Sequence, residues 1–509
     1  MFSSTRRDAF LKSFALLILA ALLVILLWPA FRLPGQQEDE GIALVYPEMF
    51  LKGHLPYLDF ESVYGPDNLL ILSGAYSLFG ANVFVERTVG LIYRLLILVA
   101  IFGIVRRWGG VIGAACGLLA AMLLGTTEVW ANTWFAGMAL ALCALWTMAN
   151  VISRRRCFGA GFLAGAALLC RCDFAIALTA ALLPLFVAMQ WTRKKWFLAG
   201  AAAGLLPLFY FAVKVGPTQL VESLFLLPVI RIGPRGHLPI SNASAEIIWL
   251  FCFYLAASAT NMVAALFALR GSNPERGRLF LGASVLGLAL VHYPLSRFDS
   301  GHVFNAAVVS FMLLPLSVSV VASAMAERLR RWPTVVTGLA VVLIAIQLFK
   351  LRPGEEGVFI EQNGRSFPIA KNQLPQAADR IVAELQRVSV AGQFLFVGPA
   401  DLRRTRYCDT WIYHLFPQLP PASYFLQMDP GAANAPGSRL ARDVARADWA
   451  ILNRAWDVLY EPNPSAEFGP DEPNRVVRSE FDLWKESGPY LLLRNKRLRN
   501  LVEQQSPEQ

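Results

Sequence analysis

Long apolar segments separated by short basic stretches dominate the first 350 residues of the chain. A helix that crosses a membrane needs about 20 mostly apolar residues. Segments that approach this length are predicted at about 13–31, 88–105, 109–126, 133–152, 158–171, 173–190, 196–215, 246–269, 279–296, 303–325 and 333–350. The pattern therefore predicts a polytopic α-helical membrane protein with about 11 transmembrane helices in residues 1–350.

Composition and charge agree with this class. Of the 509 residues, 56% are hydrophobic and 16% are charged, whereas soluble domains have about 25% charged residues. The net charge of +10 lies wholly in residues 1–350, which have 27 basic and 16 acidic residues, against 19 and 20 in residues 351–509. A nucleic-acid partner is not expected, because the soluble part has no basic excess to neutralise phosphates.

Basic clusters follow every second predicted segment, and basic residues close to the ends of spanning helices face the cytoplasm. This rule places the N-terminus in the cytoplasm and residues 351–509 outside it. Residues 157–192 lie between two such clusters, so they are predicted to form a short hairpin with Arg171-Cys172-Asp173 at its tip.

Residues 351–509 are predicted to form a separate extracytoplasmic α/β domain, called the tail below. Its length is sufficient for a hydrophobic core of its own. Helices are predicted at 376–387 and 439–446, and strands at 388–397, 448–452 and 490–494.

The first outer loop, residues 32–87, contains the densest group of unusual residues. It includes Glu38-Asp39-Glu40-Gly41, and later Pro56-Tyr57-Leu58-Asp59-Phe60 and Tyr64-Gly65-Pro66. Adjacent carboxylates repel one another, which raises the pKa of at least one of them, and a general base works best when its pKa is near the working pH. The loop therefore predicts either a catalytic base or a solvated acidic surface.

These motifs, with Gly53 fourteen residues after Asp39, resemble the first loop of membrane glycosyltransferases of the GT-C fold. The closest pattern is that of family 39-like enzymes, which include protein mannosyltransferases and the lipid A aminoarabinose transferase. The resemblance implies Asp39 as the catalytic base and Glu40 as its catalytic neighbour, with Glu38 as a rival. It also implies a polyprenyl-phosphate-linked sugar donor, inversion at the anomeric carbon, and a bacterial cytoplasmic membrane.

Three further segments fit the same resemblance. Arg171-Cys172-Asp173 follows a glycine-rich segment, Arg297-Phe298-Asp299-Ser300-Gly301-His302 follows an apolar one, and Asp409–His414 lies in the tail. Arginine suits the donor phosphate because its planar guanidinium binds phosphate oxygens in pairs. The predicted phosphate-binding residues are Arg297, Arg171, Arg94 and His302, and the predicted supporting residues are Asp173, Asp299, Asp59, Tyr57 and Arg231.

Simpler roles compete with these assignments. Arg171 and Arg297 can each pair with the aspartate two residues later at a helix end, Arg94 can extend toward the membrane surface, and Glu128 can cap a helix. No general acid is required, because the lipid phosphate leaves as a stable anion. No cofactor is required either, and a divalent cation is optional.

The sequence thus predicts an inverting hexosyl- or pentosyltransferase that acts at the outer face of the membrane. The acceptor can be a glycan, a lipid or a protein. The alternative is a transporter or flippase of lipid-linked saccharides, a class that favours ionisable residues near mid-membrane and two similar halves. A third alternative, a simple anchor for the tail, would need a single span.

Overall fold

The membrane part is a bundle of helices connected mostly by short turns. The computed structural model describes residues 4–148, 153–324, 343, 354–459 and 461–499. The helices are α1 (Ser4–Leu27), α2 (Asp39–Leu51), α3 (Pro66–Phe79), α4 (Val83–Val105), α5 (Gly110–Leu124), α6 (Thr133–Met148), α7 (Arg154–Cys170), α8 (Phe174–Val187), α9 (Trp191–Gly204), α10 (Leu206–Val215), α11 (Pro217–Val221), α12 (Gly233–Gly236), α13 (Ala245–Arg270), α14 (Pro274–Ala289), α15 (His292–Ser296) and α16 (Ser300–Ala324), with a π-helix at Glu222–Ile232.

Several of these segments meet the requirements for crossing a membrane. Among the described residues, six helical segments are long and apolar enough by length and composition: Leu11–Arg32, Val83–Trp108, Trp191–Val215, Ala245–Arg270, Pro274–Ser296 and Ser300–Ala324. The predicted multi-pass membrane protein is confirmed, and ten of the predicted segments coincide with helices. The eleventh, at 333–350, lies outside the described residues except for residue 343, so the number of spans stays a prediction.

The first arm of the predicted hairpin, α7, is in close contact with α9. A Cβ atom on Gly161 would lie 1.9 Å from the Phe197 carbonyl oxygen, and one on Gly200 would lie 2.0 Å from the Phe158 carbonyl oxygen. Small residues at such crossings allow helix backbones to touch. As predicted, α7 and α8 are short, with 17 and 14 residues, and Arg171 follows the last residue of α7.

The tail is a small α/β domain, as predicted. Its main sheet has the order β3-β4-β6-β5, in which β3 and β4 are parallel and the other pairs are antiparallel, and β1 and β2 form a separate antiparallel pair. The elements are β1 (Val358–Gln362), β2 (Arg365–Ile369), α17 (Pro375–Val388), β3 (Leu395–Pro399), α18 (Trp411–Leu415), α19 (Leu440–Arg446), β4 (Trp449–Asn453), α20 (Glu472–Glu480), β5 (Phe481–Ser487) and β6 (Tyr490–Asn495).

The predicted strand at 388–397 is wrong at its beginning. Val388 is the last residue of α17, and β3 starts only at Leu395. The intervening residues form a turn in which Gly392 has a φ of +89°, a conformation that glycine adopts without steric cost. The run of apolar residues concealed this turn.

The tail packs directly on α2. A Cβ atom on Gly41 would lie 2.6 Å from the backbone nitrogen of Trp411, and that nitrogen donates a hydrogen bond to the Gln37 carbonyl at 3.2 Å. At the other end of α2, Arg365 donates two hydrogen bonds to Glu48, at 2.6 and 2.9 Å. The helix that begins with Asp39 therefore lies between the membrane helices and the tail.

Candidate active site

A cavity of about 160 Å³ lies where the first loop meets the ends of the membrane helices. Three of the predicted residues line it together: Asp39, Arg171 and His302. Apolar side chains complete much of the wall, namely Ile42, Ala43, Pro47, Leu69 and Leu72. A single small chamber thus combines a carboxylate, a guanidinium and an apolar surface.

Asp39 is the first residue of α2, and no described residue donates a hydrogen bond to its carboxylate. Burial raises the pKa of Asp39, and the negative charge of Glu128 raises it further. The positive charges of His302, Arg297 and Arg171 act in the opposite direction but do not outweigh burial. A carboxylate in this environment has the properties of a general base.

Glu40, predicted to be catalytic, has a structural role instead. Its side chain does not line the Asp39 cavity, and Arg87 donates hydrogen bonds to both of its oxygens, at 2.7 and 3.0 Å. Arg87 also donates to the carbonyls of Ala30, Phe31 and Leu33 at 2.9–3.1 Å. Since both oxygens of Glu40 are occupied in a buried ion pair, the geometry does not support proton transfer by this residue.

Glu38 lies on the other side of Asp39, near the tail. Burial raises its pKa well above the ordinary value, and the charges of Asp39 and Asp429 raise it further. Glu38 is absent from the cavity wall. Of the three consecutive carboxylates, Asp39 is therefore the one in position to meet a substrate.

Arg171 is held in a fixed orientation by its neighbours. It donates to Asp173 from Nε at 3.0 Å and from Nη2 at 2.7 Å, and Asp173 lies 3.4 Å from His292 Nε2. The rings of Trp134 and Tyr293 lie 5.2 and 4.9 Å from the Arg171 guanidinium carbon. Nη1 has no hydrogen-bond partner among the described residues, so it is available to an anion in the cavity.

His302 and Asp299 form a second oriented pair. Asp299 Oδ1 accepts a hydrogen bond from the backbone nitrogen of His302 at 2.9 Å, and it also lies 2.9 Å from Nδ1 of the His302 ring. Burial raises the pKa of Asp299, but the hydrogen bond and charge of His302 and the charge of Arg297 outweigh it and lower the pKa to about 2. The ring of His302 packs against that of Tyr293 at 4.3 Å.

Arg297 is occupied by the tail rather than placed in the cavity wall. It donates to Asp299 at 3.0 Å and forms two hydrogen bonds with Glu461, one of them from Nη1 at 2.9 Å. Arg406 also pairs with Glu461. The predicted phosphate-binding role of Arg297 would require Glu461 to release it, although its charge already acts on Asp39.

Arg94 is fully buried outside the cavity. Its guanidinium donates to the carbonyls of Gly90 and Trp130, both at 2.9 Å, and to the Glu128 carbonyl, while the Phe135 ring lies 4.1 Å away. These contacts hold the loop between α5 and α6 against α4. The structure therefore gives Arg94 a structural position, not one that faces a donor phosphate.

Tyr57, Asp59 and Arg231 also lie away from the cavity. The Tyr57 hydroxyl donates to the Tyr64 carbonyl at 2.8 Å, and Asp59 accepts from the backbone of Leu55 at 2.7 Å and closes a turn. Arg231 is exposed and pairs with Glu222 at 3.1 Å. Tyr57 alone has a direct connection to the site, because it supports the backbone beside Tyr64.

Several residues of the cavity wall were not among the site residues predicted from the sequence. Tyr64 lies in the wall and belongs to the Tyr64-Gly65-Pro66 motif. Tyr293 also lies in the wall, and its position between His292 and Pro294 at the end of an apolar segment could have indicated a site residue. A Cβ atom on Gly65 would lie 2.0 Å from the Leu169 carbonyl oxygen, so the loop backbone lies directly on the end of α7. Glu461, which binds Arg297 outside the cavity wall, has no sequence feature that indicates this pairing.

Part of the membrane region matches a known protein family. Residues 66–213 match the family model described as Dolichyl-phosphate-mannose-protein mannosyltransferase. No curated protein matches the chain by sequence.

Solved structures match over most of the chain. ArnT from Cupriavidus metallidurans bound to undecaprenyl phosphate has a TM-score of 0.57 at 14% identity, covering 96% of this chain and 98% of its own. Its apo state gives the same TM-score and identity, covering 94% and 97%. Arabinofuranosyltransferase AftD from Mycobacteria has a TM-score of 0.49 at 15% identity, covering 94% of this chain and 41% of its own.

The resemblance drawn from the sequence is thereby confirmed at the level of fold. The structural match covers 96% of this chain and 98% of ArnT, so it includes both the membrane bundle and the tail. This chain is a multi-pass membrane protein with the GT-C glycosyltransferase fold.

Proposed function

We propose that this protein is an inverting glycosyltransferase that moves a sugar from a polyprenyl-phosphate donor to an acceptor hydroxyl. The observation that carries the proposal is the shared cavity of Asp39 and Arg171, with its apolar wall. A carboxylate that accepts no hydrogen bond from the described part of the chain suits proton removal. An oriented guanidinium suits a phosphate, and the apolar wall suits the first isoprene units.

The proposed reaction needs only these groups. The acceptor hydroxyl gives its proton to Asp39, and its oxygen attacks the anomeric carbon of the donor sugar. The bond from that carbon to the phosphate oxygen breaks, and its electron pair leaves with polyprenyl phosphate. Arg171 stabilises the charge that grows on the leaving oxygen, because a fixed cation in a small cavity acts without reorganising.

The similarities support the donor class. The description of the matched family model names a dolichyl-phosphate-linked sugar. The ArnT structure contains undecaprenyl phosphate. Both are polyprenyl phosphates. We further propose that the protein resides in a bacterial cytoplasmic membrane, with its N-terminus in the cytoplasm and the Asp39 cavity and tail on the outer side.

Release of free polyprenyl phosphate by the purified protein in lipid tests this proposal. The donors are polyprenyl phosphates carrying hexoses or pentoses, with a membrane extract as acceptor. We expect release by the wild type with at least one donor, and a loss of at least 100-fold in Asp39→Asn.

Glu38→Gln is the matched control, since Glu38 is the adjacent carboxylate outside the cavity. It should retain release within about threefold. Equal release by Asp39→Asn and the wild type would overturn the mechanism, and no release with any donor would overturn the assigned reaction.

A further inference from the structure

A second and larger cavity, of about 630 Å³, lies beside the first loop. One side is formed by the chain after α1 and by the loop between α5 and α6, and the other by the tail around Lys371. Its volume falls in the range of ~300–1,000 Å³ that is usual for ligand sites. The function proposed above does not use it.

This cavity adjoins the one that contains Asp39, because both are lined by Trp130. Glu128 accepts hydrogen bonds from Gln36 Nε2 at 2.5 Å and from Trp130 Nε1 at 2.8 Å. Trp130 lines both cavities, while Gln36 and Glu128 line the larger one. The two cavities therefore adjoin at Trp130, and the hydrogen bonds between Gln36, Glu128 and Trp130 lie at that junction.

The charges that line the larger cavity disfavour an anionic ligand. Arg87 is bound to Glu40, and Lys371 is bound to Glu355 at 2.9 Å. No salt bridge to Glu128 is found among the described residues, so the three acidic and two basic residues of this wall leave a net negative charge. A phosphate or a uronic acid is therefore less favoured here than a neutral ligand. In the Asp39 cavity, by contrast, Arg171 is paired with Asp173 through Nε and Nη2 only, and its Nη1 has no hydrogen-bond partner among the described residues.

The remaining wall suits hydroxyl groups. Asn372 and Gln373 provide amide groups, and Trp130 provides an aromatic surface. Thr126 and Thr127 donate their hydroxyl hydrogens to backbone carbonyls, so their oxygens serve as acceptors. An aromatic ring presents a flat apolar face against which the less polar face of a ligand can pack. This combination matches a sugar ring, which has hydroxyl edges and a less polar face.

We propose that the larger cavity binds the acceptor, and that the acceptor presents an uncharged carbohydrate unit to this protein. Its reacting hydroxyl reaches Asp39 past Gln36, Glu128 and Trp130, while the donor occupies the smaller cavity. This inference rests on the proposed function and specifies its acceptor class.

Binding of neutral disaccharides to the full chain in lipid nanodiscs tests the inference. The probes are mannobiose, cellobiose and galactobiose, with digalacturonic acid as the charged comparison, detected by saturation-transfer NMR. We expect a signal from at least one neutral disaccharide and none from digalacturonic acid. The signal should fall at least fivefold in Asn372→Trp and in Thr126→Trp, which fill the cavity from its two sides.

Gln376→Trp is the control, because Gln376 is exposed on the tail and outside the cavity wall. It should bind like the wild type. Thermal unfolding of each variant separates a filled cavity from a misfolded chain. The inference would be overturned if no neutral disaccharide bound. It would also be overturned if both filled variants bound as strongly as the wild type, or if digalacturonic acid bound more strongly than the neutral disaccharides.

Donor turnover with water as acceptor, measured without disaccharide, distinguishes this failure from failure of the proposed function. Turnover that depends on Asp39 but occurs without disaccharide binding would remove only the acceptor assignment. Disaccharide binding without any Asp39-dependent turnover would remove the transfer reaction itself.

Discussion

Arg87 holds Glu40 by two hydrogen bonds, at 2.7 and 3.0 Å, immediately beside Asp39, whose carboxylate accepts no hydrogen bond from any residue that the structure describes. Two consecutive acids therefore have opposite relations to their surroundings. One is a buried member of an ion pair, and the other faces a cavity.

Glu40→Gln should reduce stability much more than Asp39→Asn does. Removal of one partner from a buried ion pair costs about 3–5 kcal/mol, because it leaves the other charge unpaired. Thermal unfolding in detergent should show a lower midpoint for Glu40→Gln and a nearly unchanged one for Asp39→Asn, whereas donor turnover per folded molecule should show the reverse order. Equal unfolding midpoints would contradict the assigned roles.

Glu128→Gln should move the acidic limb of the pH–rate profile to lower pH. Asp39 acts when deprotonated, so the rate rises as pH increases through its pKa. Burial and the charge of Glu128 raise that pKa, and glutamine removes the charge while keeping the size of the side chain. The rate of polyprenyl phosphate release across about pH 4 to 8 measures the shift. An unchanged limb, or one moved to higher pH, would show that Glu128 does not act on Asp39.

Arg171→Lys should weaken donor use although the positive charge remains. Lysine cannot reproduce the paired hydrogen bonds to Asp173, and charge-assisted hydrogen bonds contribute about 1.5–3 kcal/mol. We expect kcat/KM for the donor to fall roughly 10- to 100-fold. Arg231→Lys, at an exposed arginine outside the cavity, is the control and should remain within twofold. A similar loss in both variants would contradict a specific role for Arg171.

Gly161→Val should disrupt the packing of α7 on α9, whereas Gly159→Val should be tolerated. The added Cβ at Gly161 meets the Phe197 carbonyl oxygen at 1.9 Å, but nothing lies within 4 Å of a Cβ at Gly159. Overpacking costs about 1–3 kcal/mol or more. Yield and unfolding midpoint in detergent measure the difference, and similar values for the two variants would argue against backbone contact at this crossing.

Treatment with EDTA should leave donor turnover within about twofold. Arg171 already provides a cation at the cavity, so the proposed transfer needs no added divalent ion. Turnover measured after dialysis against EDTA, and again after addition of Mg²⁺ or Mn²⁺, checks this expectation. A loss of tenfold or more that either ion restores would give a metal an essential part.

The sequence predicted those features that depend on neighbouring residues. Apolar segments showed most of the membrane helices, and consecutive acids showed where to look for the base. Pairings between distant residues were beyond its reach, because nothing local distinguishes Glu40 from Asp39 until Arg87, 47 positions away, arrives beside it. Likewise, Arg297 is paired with a residue 164 positions later, which no spacing in the chain reveals.

The contact between Gly41 and Trp411 also sets an order of events during synthesis. Gly41, in the helix that starts with Asp39, is synthesised roughly 370 residues before Trp411, which belongs to the segment that covers this helix. At ~5–20 residues per second, this interval is on the order of 20 to 70 s. During that time one side of the helix lacks its final neighbour, so the environment of Asp39 is completed only after the tail has followed the membrane helices.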